Sequence, residues 1–299
     1  MKVLVAYDGS EYSRSAITDL VNAGIDPDAE ITVIAVAESS SMVASSIGQN
    51  MGMGEIPYTG ELLTQVIQDE ISHTNALLAE SVASVRAVLP SAKVDFVAAL
   101  GQPAMEILEQ LNARPYDLVV LGSHGRGALA RVFLGSVSLQ VLHAARCSVR
   151  IVRHSNGAHH PLRILIAVDG SNYSDTMLER ISRYNWQVRP LVTLIYVDDL
   201  ALIASVHGFG VEMVSSDTGK LGQSILDSAV QQLGELGRDA RTVCKIGNPV
   251  TSIINEAIHE GSHTIYLGAQ GHKTFERLFL GSVSHGVASK FKGSVEVIR

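Results

Sequence analysis

The 299-residue chain has few aromatics (5%), two cysteines and one tryptophan. Cys147 and Cys244 lie far apart and outside any CxxC spacing, which excludes a disulfide framework and a cysteine-built zinc site. Both fall in or beside apolar segments, so buried, inert thiols are expected. Charge is also sparse, at 18%, with 23 basic against 30 acidic side chains and a formal net charge of −7. There is no basic run of the kind that tracks a phosphodiester backbone, which argues against nucleic acid as a partner. No stretch approaches the roughly 18 apolar residues of a membrane span. The apolar run at 3–7 is too short for a signal peptide and meets Asp8 at once. A cytoplasmic location is the expectation. Two phosphate-binding signatures are missing as well, GxxxxGK[ST] and GxGxxG after a strand. P-loop hydrolysis and dinucleotide binding both lose support.

Apolar residues, at 46% and weighted to Val, Ile, Leu and Ala, are plentiful. That mix suits buried parallel strands covered by helices. The length fits about two domains, and the chain repeats itself. VLVAYDGSEYS at 3–13 returns as ILIAVDGSNYS at 164–174, an offset of 161 residues from Asp8 to Asp169. ITVIAV at 31–36 matches VTLIYV at 192–197 at the same offset. GQPA at 101–104 matches GNPV at 247–250, and LGSHG at 121–125 matches LGAQG at 267–271, now 146 residues apart. The second copy is thus 15 residues shorter between its second strand and the Gly-x-Pro turn. The first copy is rich there in Ser, Met and Gly, from 39 to 60, and the loop at 39–58 reads either as a candidate lid or as plain disorder. Domains are expected at 1–153 and 162–299, joined by a flexible linker at 154–161. The linker's His154, His159 and His160 lack orienting carboxylates nearby in sequence, so a connector is preferred to a metal site.

Each copy alternates apolar runs with helical periodicity. The βαβαβαβαβ order predicts a parallel, doubly wound sheet of five strands with helices on both faces. Ligands of such sheets sit beyond the carboxyl ends of the strands. The loop after the fourth strand reads Gly122-Ser123-His124-Gly125, nine residues, then Gly135-Ser136. The second copy reads Gly268-Ala269-Gln270-Gly271, nine residues, then Gly281-Ser282. Gly122 and Gly125 permit a tight turn and close approach to a ligand. Gly135 and Ser136 open a helix, whose unpaired amides and dipole favour an anion. The Ser136 hydroxyl either caps that helix or donates to a phosphate. Two such elements on one loop suit a polyphosphate.

On these residues the chain resembles two fused domains of the universal stress protein family, across nearly all of both halves. The most specific element is G-2x-G-9x-G-(S/T), complete twice and characteristic of the family's ATP-binding branch. The resemblance implies ATP as ligand, with Mg2+, and no metal site built by the protein alone. Asp8 and Asp169 would lie beside the nucleoside, with Ala6 and Ala167 on the same strands. The main chain at Val36 and Val197 would face the adenine. Leu121, Gly122, His124, Gly125, Gly135, Ser136, Val137 and Ser138 would complete the first site. Leu267, Gly268, Gln270, Gly271, Gly281, Ser282, Val283 and Ser284 would complete the second. Gln270 stands where the first copy has His124, so unequal affinities are expected. Arg126 and Arg131 read as solvated surface in preference to added charge for phosphate binding, and the second loop carries His272, Lys273 and Arg277 in their region.

The resemblance also implies pairing of the final strands, 149–152 with 295–298, as a pseudo-twofold dimer within one chain. A further homodimer and an unidentified regulatory protein partner are compatible with it. The function implied is a nucleotide-dependent regulatory module of the stress response, not a dedicated enzyme. The alternatives are a slow ATPase or nucleotide-processing enzyme, or a binder of AMP or a cyclic nucleotide.

Overall fold

A computed structural model describes residues 1–38, 60–125, 134–155, 157–199, 211–271 and 280–299. The first half runs β1 (Lys2–Ala6), α1 (Glu11–Thr18), β2 (Glu30–Glu38), α2 (Gly60–Val88), β3 (Lys93–Gly101), α3 (Pro103–Ala113), β4 (Leu118–Gly122), α4 (Ser136–Ala144) and β5 (Ser148–Val152). The second repeats it as β6 (Arg163–Val168), α5 (Asn172–Ser182), β7 (Leu191–Asp199), α6 (Val211–Gln232), β8 (Arg241–Gly247), α7 (Pro249–His259), β9 (Thr264–Gly268), α8 (Ser282–Lys290) and β10 (Ser294–Ile298). The candidate lid and the loop cations at 126, 131, 272, 273 and 277 lie outside the described residues.

Local chemistry explains the helix starts. Ser10 and Ser171 cap α1 and α5, accepting from the amides of Ser13 and Ser174 at 3.2 and 3.3 Å. Pro103 and Pro249 occupy the first turn of α3 and α7, where no amide donor is needed. Gly9 and Gly170 adopt φ of 76° and 77°, the left-handed turn that carries each Asp-Gly-Ser into its helix.

All ten strands form one sheet in the order β3-β2-β1-β4-β5-β10-β9-β6-β7-β8. Pairing is parallel within each half and antiparallel where the halves meet, with Val149, Arg150 and Ile151 opposite Val297, Glu296 and Val295. The last strands therefore meet as expected, and neither leaves a free row of backbone groups at its outer edge. One face of the sheet carries a core continuous across this seam, joining Leu121, Val141, Leu142, Val149 and Ile151 to Leu267, Val287, Phe291, Val295 and Val297. On the opposite face each half has its own core, under α1 and α2 or under α5 and α6.

Between those separate cores the seam is polar and buried. Arg150 is fully buried and donates to Asp19 (2.8 Å), Glu296 (2.9 Å), Tyr266 (3.1 Å) and Thr264 (3.1 Å). Tyr184 donates to the other Glu296 oxygen at 2.6 Å, and Ser294 to Asp19 at 3.2 Å. The facing carboxylates hold the Arg150 guanidinium well above its ordinary pKa against the cost of burial.

Two expectations are corrected. The segment at 154–161 is held by the first half, since Thr18 donates to the Ser155 carbonyl (2.9 Å) and Asn22 to that of Gly157 (2.9 Å). The His159 amide in turn donates to Asn22 (3.1 Å), and its ring stacks on His263 at 3.8 Å. It is a bonded strap, not a loose connector, because the short polar chain finds acceptors and donors on α1's exit. The two thiols are unpaired as expected, but only Cys147 is even half-buried, and Cys244 is exposed on the outermost strand β8. An edge strand leaves one flank uncovered whatever its apolar content. Burial pushes the Cys147 thiol up to about 11, and partial burial with nearby Asp198 raises that of Cys244.

Candidate functional site: paired clefts at the carboxyl edge

A cleft opens beyond the carboxyl ends of β1, β2 and β4, and a second opens at the matching place in the other half. Each holds an empty volume of about 1100 Å³ or 1060 Å³ including its open mouth. Without the mouth the space is about 350 Å³ in the first and 230 Å³ in the second, at the small end for a ligand pocket. Every residue assigned from sequence to a site lines one of the two. Ala6, Asp8, Val36, Leu121, Gly122, His124, Gly125, Gly135, Ser136, Val137 and Ser138 border the first. Ala167, Asp169, Val197, Leu267, Gly268, Gln270, Gly271, Gly281, Ser282, Val283 and Ser284 border the second.

The glycines serve close packing. None of Gly122, Gly125 and Gly135, nor their partners in the second half, has a positive φ, so the tight-turn reading is replaced by steric need. A Cβ on Gly122 would lie 2.6 Å from the Tyr12 main chain, jamming β4 against α1. A Cβ on Gly125 would lie 2.8 Å from Asp8 Oδ2, and one on Gly271 would collide with Asp169 Oδ2. Both aspartates are pre-positioned. Asp8 Oδ1 accepts from the Ser10 amide at 3.0 Å. Asp169 Oδ1 accepts from the Ser171 amide (3.0 Å), Ser171 Oγ (2.6 Å) and Ser174 Oγ (2.7 Å).

The helix starts are bare. Gly135 and Gly281 are the N-caps of α4 and α8, and neither helix has a side-chain cap. Ser136 is therefore not the cap, as one sequence reading allowed; it occupies the first helical position. It lines the cleft, and the N-cap before it, a glycine, offers the first-turn amides no side-chain oxygen. The third residue of each helix ties it to its strand, with Ser138 Oγ donating to the Gly122 carbonyl (2.7 Å) and Ser284 Oγ to that of Gly268 (2.6 Å). Gly135 and Gly281 donate to the carbonyls of Ser123 and Ala269, both at 2.8 Å. The helix start in each cleft is thus fixed in the same way.

The clefts differ in polarity. His124 sits over Tyr12, ring centroids 5.0 Å apart, with Nδ1 3.0 Å from Ser123 Oγ. Gln270, its counterpart, is buried. The second cleft adds Asp198 and Asp199, where the first half has Ala37 and Glu38. Burial, then the adjacent Asp199 charge, raises the Asp198 carboxyl above the usual range.

Sequence reasoning missed further lining residues: Tyr7, Ser13, Ile34, Pro103 and Ile107 in the first cleft, with Ser174, Tyr196, Asp198 and Pro249 among those in the second. Pro103 and Pro249 were visible in the repeated Gly-x-Pro turn, and Ser13 and Ser174 in the repeated D-G-S-x-x-S. Ile107 had only helical periodicity to mark it. Away from the clefts, Glu256, His259 and Glu260 offer ligand atoms within 4.8 Å of one another. Arg241 and Lys245 already pair with Glu256, so cations of the chain itself neutralise that cluster.

A doubled α/β sheet with one cleft at the carboxyl edge of each repeat defines a tandem protein of the doubly wound class. The chain belongs to the universal stress protein family, which it matches over residues 1–153 and again over 162–299. The universal stress protein YxiE of Bacillus subtilis is 31% identical over 152 residues, 51% of this chain and 98% of that protein. The universal stress protein Sll1388 of Synechocystis is 30% identical over 158 residues, 51% of this chain and 97% of its own length. A universal stress protein crystal structure from Archaeoglobus fulgidus superposes over the whole chain and 96% of its own, with a TM-score of 0.67 and 20% identity. That likeness carries the fold. No helix among the described residues is long and apolar enough to cross a membrane.

Proposed function

We propose that each half binds an adenine nucleotide, ATP with Mg2+, and that occupancy makes the protein a nucleotide-dependent regulatory module of the stress response. The carrying observation is the helix start at Gly135-Ser136 and Gly281-Ser282, without a side-chain cap, lining the same cleft as a strand-end aspartate locked by its own loop. A bare helix N-terminus is a ready anion site, with amides aimed outward and the dipole positive. The close fit of Gly125 to Asp8 and of Gly271 to Asp169 keeps side chains out of that edge of each cleft. Asp8 and Asp169 suit hydroxyl or N–H donors of a nucleoside, and the apolar walls Val36, Leu121 and Ile107, or Val197, Leu267 and Ile253, suit a base. Since a carboxylate stands beside the turn that would face the phosphates, a divalent cation would reduce the like-charge cost there.

Calorimetric titration of the full chain with ATP and Mg2+, beside mass spectrometry of ligand released from the purified protein, tests this reading. Two nucleotides per chain are expected. No uptake at millimolar ATP, or a released ligand without a phosphate, would overturn it. Release of AMP or a cyclic nucleotide would keep the clefts and change the ligand, and steady-state turnover above about 1 s⁻¹ would move the protein to the enzymes.

A further inference from the structure

In each half the last strand is followed by an arginine, and each of these arginines reaches into the other half. Arg153, directly after β5, donates through Nη2 to the carbonyls of Ala288 (2.6 Å) and Ser289 (3.2 Å) and through Nη1 to that of Gly293 (3.3 Å). Arg299, directly after β10, donates through Nη2 to the Leu142 carbonyl (2.7 Å) and through Nη1 to that of Cys147 (3.5 Å). The acceptors are equivalent in the repeat, since Leu142 and Ala288, like Cys147 and Gly293, stand at the 146-residue offset. Leu142 and Ala288 belong to the last turns of α4 and α8, whose carbonyls have no partner within the helix. A guanidinium there satisfies them and opposes the negative end of the dipole.

These are the helices whose other ends form the clefts. At nine residues each spans only about 13.5 Å at 1.5 Å per residue. Each is thus held at its N-terminus by its own half and at its C-terminus by the opposite one. The backbone line is continuous. Val152 accepts from the Ser123 amide (2.7 Å), Ser123 accepts from Gly135 (2.8 Å), and the residue after Val152 is Arg153. Ile298, Ala269, Gly281 and Arg299 repeat the same connection.

We infer that Arg153 and Arg299 are crossed positioning residues: Arg299 fixes the phosphate-facing helix of the first half, and Arg153 that of the second. The affinity of each cleft for its nucleotide then depends on the other half's final residue. This consequence rests on the nucleotide reading above, whereas the crossed anchoring of the helices does not.

The test uses the full chain with Arg299→Gln, Arg153→Gln and the corresponding lysine variants. Without nucleotide, hydrogen exchange is followed at Gly135 and Leu139 in the first half and at Gly281 and His285 in the second. Arg299→Gln should speed exchange at Gly135 and Leu139 about tenfold, the effect of losing roughly one to two hydrogen bonds. Gly281 and His285 should not change. Arg153→Gln should do the reverse, and the lysine variants should recover part of the protection. With ATP and Mg2+, and one cleft closed by Gly125→Glu or Gly271→Glu, Arg299→Gln should weaken the first cleft by about three- to tenfold and spare the second. Effects confined to the arginine's own half, or equal in both halves, would overturn the inference. A crossed exchange pattern in a protein that takes up no ATP would instead remove the nucleotide reading and leave the anchoring in place.

Discussion

The seam and the clefts descend from one duplication and have moved in opposite directions. At the clefts the two halves present the same parts at the same places: Asp8 and Asp169, Gly125 and Gly271, Ser136 and Ser282, Ser138 and Ser284. At the seam, positions related by the same offsets differ in size and sign. Arg150 faces Glu296, Leu118 and Val120 answer to Thr264 and Tyr266, and Asp19 answers to Arg180. Identical ligands would make identical demands on two clefts. Two surfaces that meet only each other are free to diverge, provided they do so together. On a true twofold axis residue 150 would face its own copy, and two buried arginines or two buried glutamates would repel. The divergence gives the halves a reason to pair with one another and not each with its own kind.

The seam is where a single change should cost most. Arg150→Met would leave Glu296 and Asp19 buried without their cation, a loss of about 3–5 kcal/mol in unfolding free energy. Adding Asp19→Asn and Glu296→Gln should recover most of it, because the uncompensated charges are then gone. Denaturant unfolding of the single and triple variants reads both numbers. A single-variant loss below about 1 kcal/mol would mean that the seam tolerates unpaired charge and that its asymmetry carries no specificity.

A change in one cleft should be local by contrast. Gly125→Glu drives a side chain into the Asp8 carboxylate and should reduce nucleotide stoichiometry from two to one, leaving the second cleft intact. Gly271→Glu should do the same for the second cleft, where a Cβ meets Asp169. The surviving affinities should differ, since His124 in one cleft is replaced by Gln270 in the other and Asp198 adds acidity to the second. Equal remaining affinities would show that the shared parts outweigh these substitutions.

Why the clefts were legible in the sequence and the seam was not follows from how each is built. The clefts are made of short local patterns repeated twice, Asp-Gly-Ser and the spaced glycines, and a pattern seen twice at a fixed offset marks its own members. The parallel, doubly wound character of each half was legible for a similar reason, since alternating strands and helices leave few ways to wind. The seam depends on contacts between residues more than a hundred positions apart, such as Arg150 with Asp19 and Arg299 with Leu142. Its local signal was faint: one charge of opposite sign in each of the apolar strands SVRIV and SVEVI. Of the two roles open to the Ser136 hydroxyl in the sequence, capping falls away because Gly135 is the cap and Ser136 the first helical residue. The strap at 154–161 looked free because its partners, Thr18 and Asn22, lie far back in the chain.

The smallest expected effects concern protons, and they again separate seam from cleft. Three histidines near the seam have lowered pKa values. For His143 the cause is burial, then the nearby charges of His285 and Arg299; for His159 it is burial, offset by Asp19 and joined by Arg150 and His160; for His263 it is burial, then His159. A histidine depressed on folding takes up its proton more readily when unfolded. Stability should therefore fall as pH drops through about 6.5, the ordinary histidine value, until the folded forms are themselves protonated. His143→Leu should shallow that slope, as measured by Tm between pH 7.5 and 5. Asp198 in the second cleft runs the other way. Its raised pKa means that the folded state holds the proton more tightly, so its contribution is present below the ordinary carboxylate value and is lost as pH rises through the folded value. Asp198→Asn should raise Tm slightly at neutral pH and make no difference near pH 3. A variant that lowered Tm at neutral pH would mean that the ionised carboxylate is held by a favourable partner, and that the second cleft is less acidic in effect than its residues imply.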